Sequence, residues 1–309
     1  MPPTAASPER QRIAVIGLGS IGGVVAGLLA AARRHDVTAC VKRPIERMTV
    51  ERTEGAIEVP IRALTDPSGA EPQDWVLLCT KVQDTASSGP WLQRLCGPST
   101  RVAALQNGIG HIERLAPSVS GATVIPTIVY YNGERLAADR VRYRRGGEHD
   151  FAVADGPDGQ AFAALLDGTP LRTLLSEDFR TLAWRKLLVN AVGNAVSALT
   201  LQRNAVFRRD DVAALCLALL EEAAAVGRAD GAQLATDEAA QSMARLTAIP
   251  PDAGSSMYFD RLAGRPLEID ALTGAVVEAA ERHGVPTPLL RMLLTLARAA
   301  SASPAPTGA

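Results

Sequence analysis

The sequence predicts an α/β domain followed by an all-helical domain. Short apolar runs alternate with helical patterns over the first half of the 309 residues, and strand signals vanish after about residue 177. Five glycines crowded between Gly17 and Gly27 add a tight, close-packed turn between the first strand and the first helix. Hydrophobic residues at 47% and charged residues at 21% lie in the ordinary globular range, which excludes a disordered chain, a collagen and a disulfide scaffold.

Residues 1–11 and 301–309 are small, polar and proline-rich, the composition of flexible tails. The first domain then covers 1–177 and the second 178–309. Segments 13–16, 37–41, 75–79 and 102–105 read as buried strands of a mostly parallel sheet. The run 13–32 carries no charge and is as long as a bilayer span, but its glycines interrupt it as strand, turn and helix rather than a membrane segment. A β-branched run over 123–131, then Asn132-Gly133, predicts a strand and a hairpin turn. Segments 141–144 and 150–154 fit further strands, so the sheet is expected to end in an antiparallel extension.

The second half has helical period and helical punctuation. A long helix spans 178–201; Asp210 or Asp211 caps the next, which Gly231 closes; Thr236 or Asp237 opens a third that stops before Pro250-Pro251. Helices over 255–263 and 266–283 follow, each ended by a glycine, and Pro288 begins a last one through about residue 300.

The 32 basic and 33 acidic residues leave a net charge of -1 with no basic block, so neither nucleic acid nor an anionic membrane surface is an expected partner. Small molecules are. Cys40, Cys79, Cys96 and Cys216 form no CxxC pair and read as free thiols of a reducing, cytoplasmic compartment. His35, His111, His149 and His283 show no ligand spacing, so no metal site is expected.

The segment Gly17-Leu18-Gly19-Ser20-Ile21-Gly22 places GxGxxG directly between a strand and an apolar helix. Its glycines suit a tight turn, close approach of a pyrophosphate and close helix packing, and the free N–H groups of the helix start can hold phosphates. This is a Rossmann-type dinucleotide site. After the second strand, where an acid would bind the ribose hydroxyls of NAD, stand Lys42 and Arg43, which can neutralise a 2'-phosphate and so favour NADP; the plain alternative is a solvated basic loop. Lys81 follows the third strand and Gln106-Asn107-Gly108 the fourth, on the edge where ligands of an open α/β sheet gather.

Lys186, Asn190 and Asn194 recur every four residues, stacking on one face of the long helix amid apolar neighbours. Asparagine is a poor helix former, so the stripe suggests a ligand-facing surface, or a face bonded to a neighbouring loop. Ser255-Ser256-Met257, Asp260 and Glu268-Ile-Asp270 form a last polar cluster, which also reads as helix starts.

With these motifs in order, the sequence resembles the ketopantoate reductases (2-dehydropantoate 2-reductases) across almost the whole chain. The resemblance implies NADPH-dependent reduction of 2-dehydropantoate to pantoate, a step toward pantothenate and coenzyme A, in a cleft between a Rossmann domain and a helical domain. It implies Lys186 as proton donor, Asn190, Asn194 and Ser256 as holders of substrate polar groups, Glu268 as a catalytic-site substrate contact, Asn107 at the nicotinamide end, and Asn204 at a further substrate-side position. A homodimer is open to such a chain. One departure is that the family often has E-I-D-x-x-N-G, while this chain has Thr273 before Gly274, which shortens a polar contact expected on the same helix face as Glu268. Hydride delivery to a ketone builds negative charge on its oxygen, so a cationic donor fits the chemistry, with Lys186 first and Lys81 in reserve. Alternatives are a reductase of another 2-keto acid, a dehydrogenase of an imine, hydroxy acid or sugar phosphate, and an NADP-binding regulator without turnover.

Overall fold

The computed structural model describes residues 10–303. Most of each expected tail lies outside that range, but its inner ends are ordered: Arg10 pairs with Asp36, and the Ser301 hydroxyl accepts from the Leu267 N–H. The chain divides into two compact units, one of the described residues up to Gln106 with Gly110–Glu177, the other of Asn107–Ile109 with Asp178 onward.

The first unit begins β1 (Arg12–Ile16), α1 (Ser20–Ala32), β2 (Asp36–Cys40), β3 (Arg47–Glu51), β4 (Ile57–Pro60) and β5 (Arg62–Leu64). It continues with β6 (Trp75–Leu78), α2 (Gly89–Leu95), β7 (Arg101–Ala104), α3 (His111–Leu115) and β8 (Thr123–Pro126). Then come β9 (Ile128–Val129), β10 (Asn132–Arg135), β11 (Arg140–Arg144), β12 (Phe151–Ala154), α4 (Pro157–Leu165) and β13 (Thr173–Ser176). Six strands form one parallel sheet in the order β5-β2-β1-β6-β7-β8. The order reverses between β1 and β6, and the chain leaves both strands at the same edge. That is where an open α/β sheet binds its ligand. Ile13, Val15, Trp75 and Leu77 of this sheet and Phe162 of α4 are fully buried in one core, and a buried residue of this size contributes about 1.5–3 kcal/mol.

Two expectations need correction here. The later strands do not extend the main sheet; they form separate sheets, β10-β11-β3-β4 and β13-β12-β9. Asn132-Gly133 is not a hairpin turn but the start of β10, and the reversal falls between Arg135 and Arg140. Glycine is needed at 133 for packing: a Cβ there would stand 2.2 Å from the Ser20 carbonyl oxygen at the start of α1.

The second unit contains α5 (Phe179–Thr200), α6 (Asp210–Ala229), α7 (Glu238–Ala248), α8 (Ser256–Leu262), α9 (Ala275–His283) and α10 (Pro288–Ala302). Asp178 caps α5 by accepting from the Thr181 N–H at 3.1 Å. Asp210 begins α6 rather than capping it. Glu222 of α6 accepts from the N–H groups of Leu289 and Leu290, closing the start of α10. Trp184, Leu188, Leu220, Val276 and Leu290 meet in one core. The expected helix over 266–283 is only partly helical: residues 265–268 form no regular element, Asp270–Gly274 form a π-helical turn, and α9 begins after it. Among the described residues no helix is long and apolar enough to cross a membrane, and no cluster of ligating side chains could hold a metal.

Candidate functional site

In the first unit the glycines of the β1–α1 turn have distinct physical reasons. Gly17 has φ of +91°, and a Cβ on it would press to 2.8 Å from the Thr80 side chain. A Cβ on Gly22 would come within 2.0 Å of the Gly17 carbonyl oxygen, so any side chain there would push α1 off the turn. At Gly19 a Cβ would meet nothing within 4 Å, so the backbone there lies open to a ligand. Gly19 also stands at the cap position of α1 with no side chain bonded to the helix amides, a helix start whose N–H groups suit an anion. Leu18 is buried in the core, and Ser20 and Ile21 begin the helix; the Ile21 carbonyl accepts from the Tyr131 hydroxyl at 2.8 Å.

Lys42 and Arg43 are exposed just past the C-terminal end of β2. Asp36 is at the other end of that strand, held by Arg10. Lys81 precedes a short 3-10 turn, Val82–Asp84, in the loop after β6. Buried Gln106 secures this loop, its Nε2 donating to the Thr80 carbonyl and the Thr85 hydroxyl, each at 3.0 Å. The His111 Nε2 lies 3.1 Å from the Gln106 carbonyl oxygen. The sequence places Gln106 at the sheet edge but gives it no task, because its partners Thr80 and Thr85 lie more than twenty residues away in the chain.

In the second unit α5 carries Lys186, Asn190 and Asn194 at successive turns, half-buried at the first two and buried at the third. Burial pushes the Lys186 ammonium down to about 8, and the nearby Glu268 carboxylate opposes that shift without cancelling it. Glu268 is itself buried, and its Oε2 accepts from the Asn107 Nδ2 at 3.3 Å. Thus Lys186, Glu268 and Asn107, from three separate stretches of sequence, come together in one unit. A cation whose proton is held loosely, beside a carboxylate and an amide, can donate to a developing oxyanion.

Ser255 caps α8, accepting from the Tyr258 N–H, and its hydroxyl lies 2.6 Å from that of Ser197, one turn beyond Asn194. Ser256 is the exposed first residue of α8. Ser197 is absent from the sequence reading because a serine inside an apolar helix carries no signal of its own.

Two placements differ from expectation. Asn204 is buried, and both N–H bonds of its amide go to the carbonyls of Leu246 and Ile249, a task of closing the loop after α7. Glu268 and Thr273 do not share a helix face: Glu268 precedes the π-helical turn, and Thr273 within it is fully buried, its hydroxyl donating to the Ala191 carbonyl at 2.6 Å. The hydroxyl is committed to α5, so Thr273 is no shortened substrate contact.

Comparison with known proteins shows which family the chain resembles over almost its whole length. The family described as "Ketopantoate reductase PanE/ApbA" matches residues 13–156, and its C-terminal counterpart matches 178–301. A 2-dehydropantoate 2-reductase of Caulobacter vibrioides is 41% identical over 94% of this chain and 99% of its own length. One from Mycobacterium tuberculosis is 40% identical over 94% of this chain and 98% of its own. Among solved structures, a ketopantoate reductase from Ralstonia eutropha aligns with a TM-score of 0.84 at 29% identity, covering 94% of this chain and 98% of its own.

Proposed function

The chain belongs to the ketopantoate reductase family, and from that premise we propose that it reduces 2-dehydropantoate to pantoate with NADPH. Enzymes of this family use a nicotinamide dinucleotide. The observation that carries the reading for this chain is the grouping of Lys186, with its proton held at about 8, beside Glu268 and Asn107.

The β1–α1 turn fits a dinucleotide: Gly19 leaves open backbone, and Gly17 and Gly22 have no room for a side chain. Residues 17–22 would cradle the pyrophosphate, Lys42 and Arg43 would neutralise a 2'-phosphate, and Lys81 and Asn107 would contact the cofactor farther along. The bound cofactor supplies the hydride for the keto carbon. Lys186 stabilises the negative charge growing on the carbonyl oxygen and gives that oxygen its proton. Asn190, Asn194 and Ser256 bind the carboxylate and hydroxyl of the substrate, and Glu268 accepts from its hydroxyl while holding the lysine in its charged form. Asn204 supports this surface through the loop it closes.

Oxidation of NADPH by the purified protein with a panel of keto acids tests the assignment. Ketopantoate should be turned over with the highest kcat/KM; a clear preference for a keto acid without the hydroxyl, or for NADH, would redirect it.

A further inference from the structure

The π-helical turn Asp270–Gly274 lies against both α5 and the segment that carries Asn107. Its Gly274 N–H reaches back to the Ile269 carbonyl at 2.9 Å, a widened ring that inserts one residue more than a regular helical turn holds. The extra residue lets Thr273 turn fully inward, where its hydroxyl donates to the Ala191 carbonyl, directly after Asn190. That carbonyl belongs to the middle of α5, so the threonine uses its second lone pair and leaves the helical ladder intact. On its other side the turn meets the Asn107 segment: a Cβ on Gly108, whose φ is +88°, would lie 2.4 Å from the Ala271 carbonyl oxygen. Glu268 enters the turn from just before it and bonds to Asn107.

We propose that Thr273 is a positioning residue for the reduction, its hydroxyl clamping the π-helical turn to α5 so that Glu268 and Asn107 are held in fixed register with Lys186 and Asn190. The proposal rests on the keto acid reductase reading for its kinetic consequences and on the hydrogen bond alone for its structural ones. Thr273 acts through Glu268 and Asn107, not by touching substrate.

Thr273→Val keeps nearly the same shape and removes only the donor, and Thr273→Ser restores it. The valine variant should lose about tenfold or more in kcat/KM for the keto acid and less than that in NADPH affinity, since the β1–α1 turn is untouched, and the serine variant should stay close to the parent. Hydrogen exchange in the free proteins supplies a readout independent of turnover. In the valine variant, amides of both 268–275 and the sequence-distant 107–109 should exchange faster, whereas a purely local packing role would loosen the first stretch alone. Unchanged exchange at 107–109, or a loss spread equally over keto acid and NADPH that serine does not restore, would overturn the proposal. A parent protein that reduces no keto acid would defeat the functional reading instead, and the exchange result would still decide the clamp.

Discussion

Lys186 illustrates how one side chain takes its chemistry from its surroundings. A lysine at its ordinary 10.5 holds its proton too firmly to be a good acid near neutrality, and burial in α5 brings it to about 8. The acid must be protonated to act, so kcat should be flat below about pH 8 and fall as pH rises through it; a profile flat to pH 10 would contradict the role. Stability moves the other way. Between about 8 and 10.5 the unfolded chain keeps a proton that the folded chain has released, so this group makes the fold more stable as pH rises. The two trends separate loss of the acid from unfolding. Lys42 bears on cofactor choice: exposed at the end of β2, it has no acid of that strand beside it, since Asp36 is at the far end. Lys42→Asp should raise KM for NADPH about tenfold, the worth of roughly one charge-assisted contact, and leave KM for NADH nearly unchanged.

At the scale of elements, the β1–α1 turn depends on atoms rather than on flexibility. Gly22→Ala would drive a Cβ into the Gly17 carbonyl, and shifting the helix to relieve such overpacking costs about 1–3 kcal/mol. Its thermal midpoint should fall by several degrees and its NADPH affinity at least tenfold; a variant melting and binding like the parent would refute that packing. This turn was legible in the sequence because its glycines sit between a four-residue apolar run and an uncharged helix. So were the parallel strands β1, β2, β6 and β7 and the long helix α5, whose apolar periods are strong. Strands β3, β4 and β5 were not legible, since charged residues such as Arg47, Glu51, Glu58 and Arg62 interrupt them on the exposed side. Asn132-Gly133 misled because close packing against Ser20, not a turn, requires the glycine. Of the candidate site, the stacking of Lys186, Asn190 and Asn194 on α5 was readable from their spacing, whereas the setting of Glu268 and Thr273 was not, because a π-helical turn breaks the regular period the sequence suggests.

Across the whole molecule, each unit has a core of its own, and charge is balanced at -1, so burial of apolar side chains and specific ligands, not a long-range field, govern stability and recognition. A dinucleotide that binds only the folded chain should stabilise it by about 2.7 kcal/mol at a hundred times its Kd. Calorimetry should show the melting temperature rising with NADPH, and rising less with NADH at equal concentration; equal shifts would remove the case for the 2'-phosphate. The proposed reaction turns on Lys186 giving a proton to the oxygen of the keto acid as the carbon takes the hydride. Its most direct test is turnover of ketopantoate by the parent and by Lys186→Ala, with NADPH binding measured alongside. The parent should turn over readily, and the variant should bind NADPH within about twofold of it yet lose roughly a hundredfold or more in kcat. A variant with near-normal turnover would contradict the central role of Lys186, and an inactive parent that binds NADPH would contradict the reaction itself.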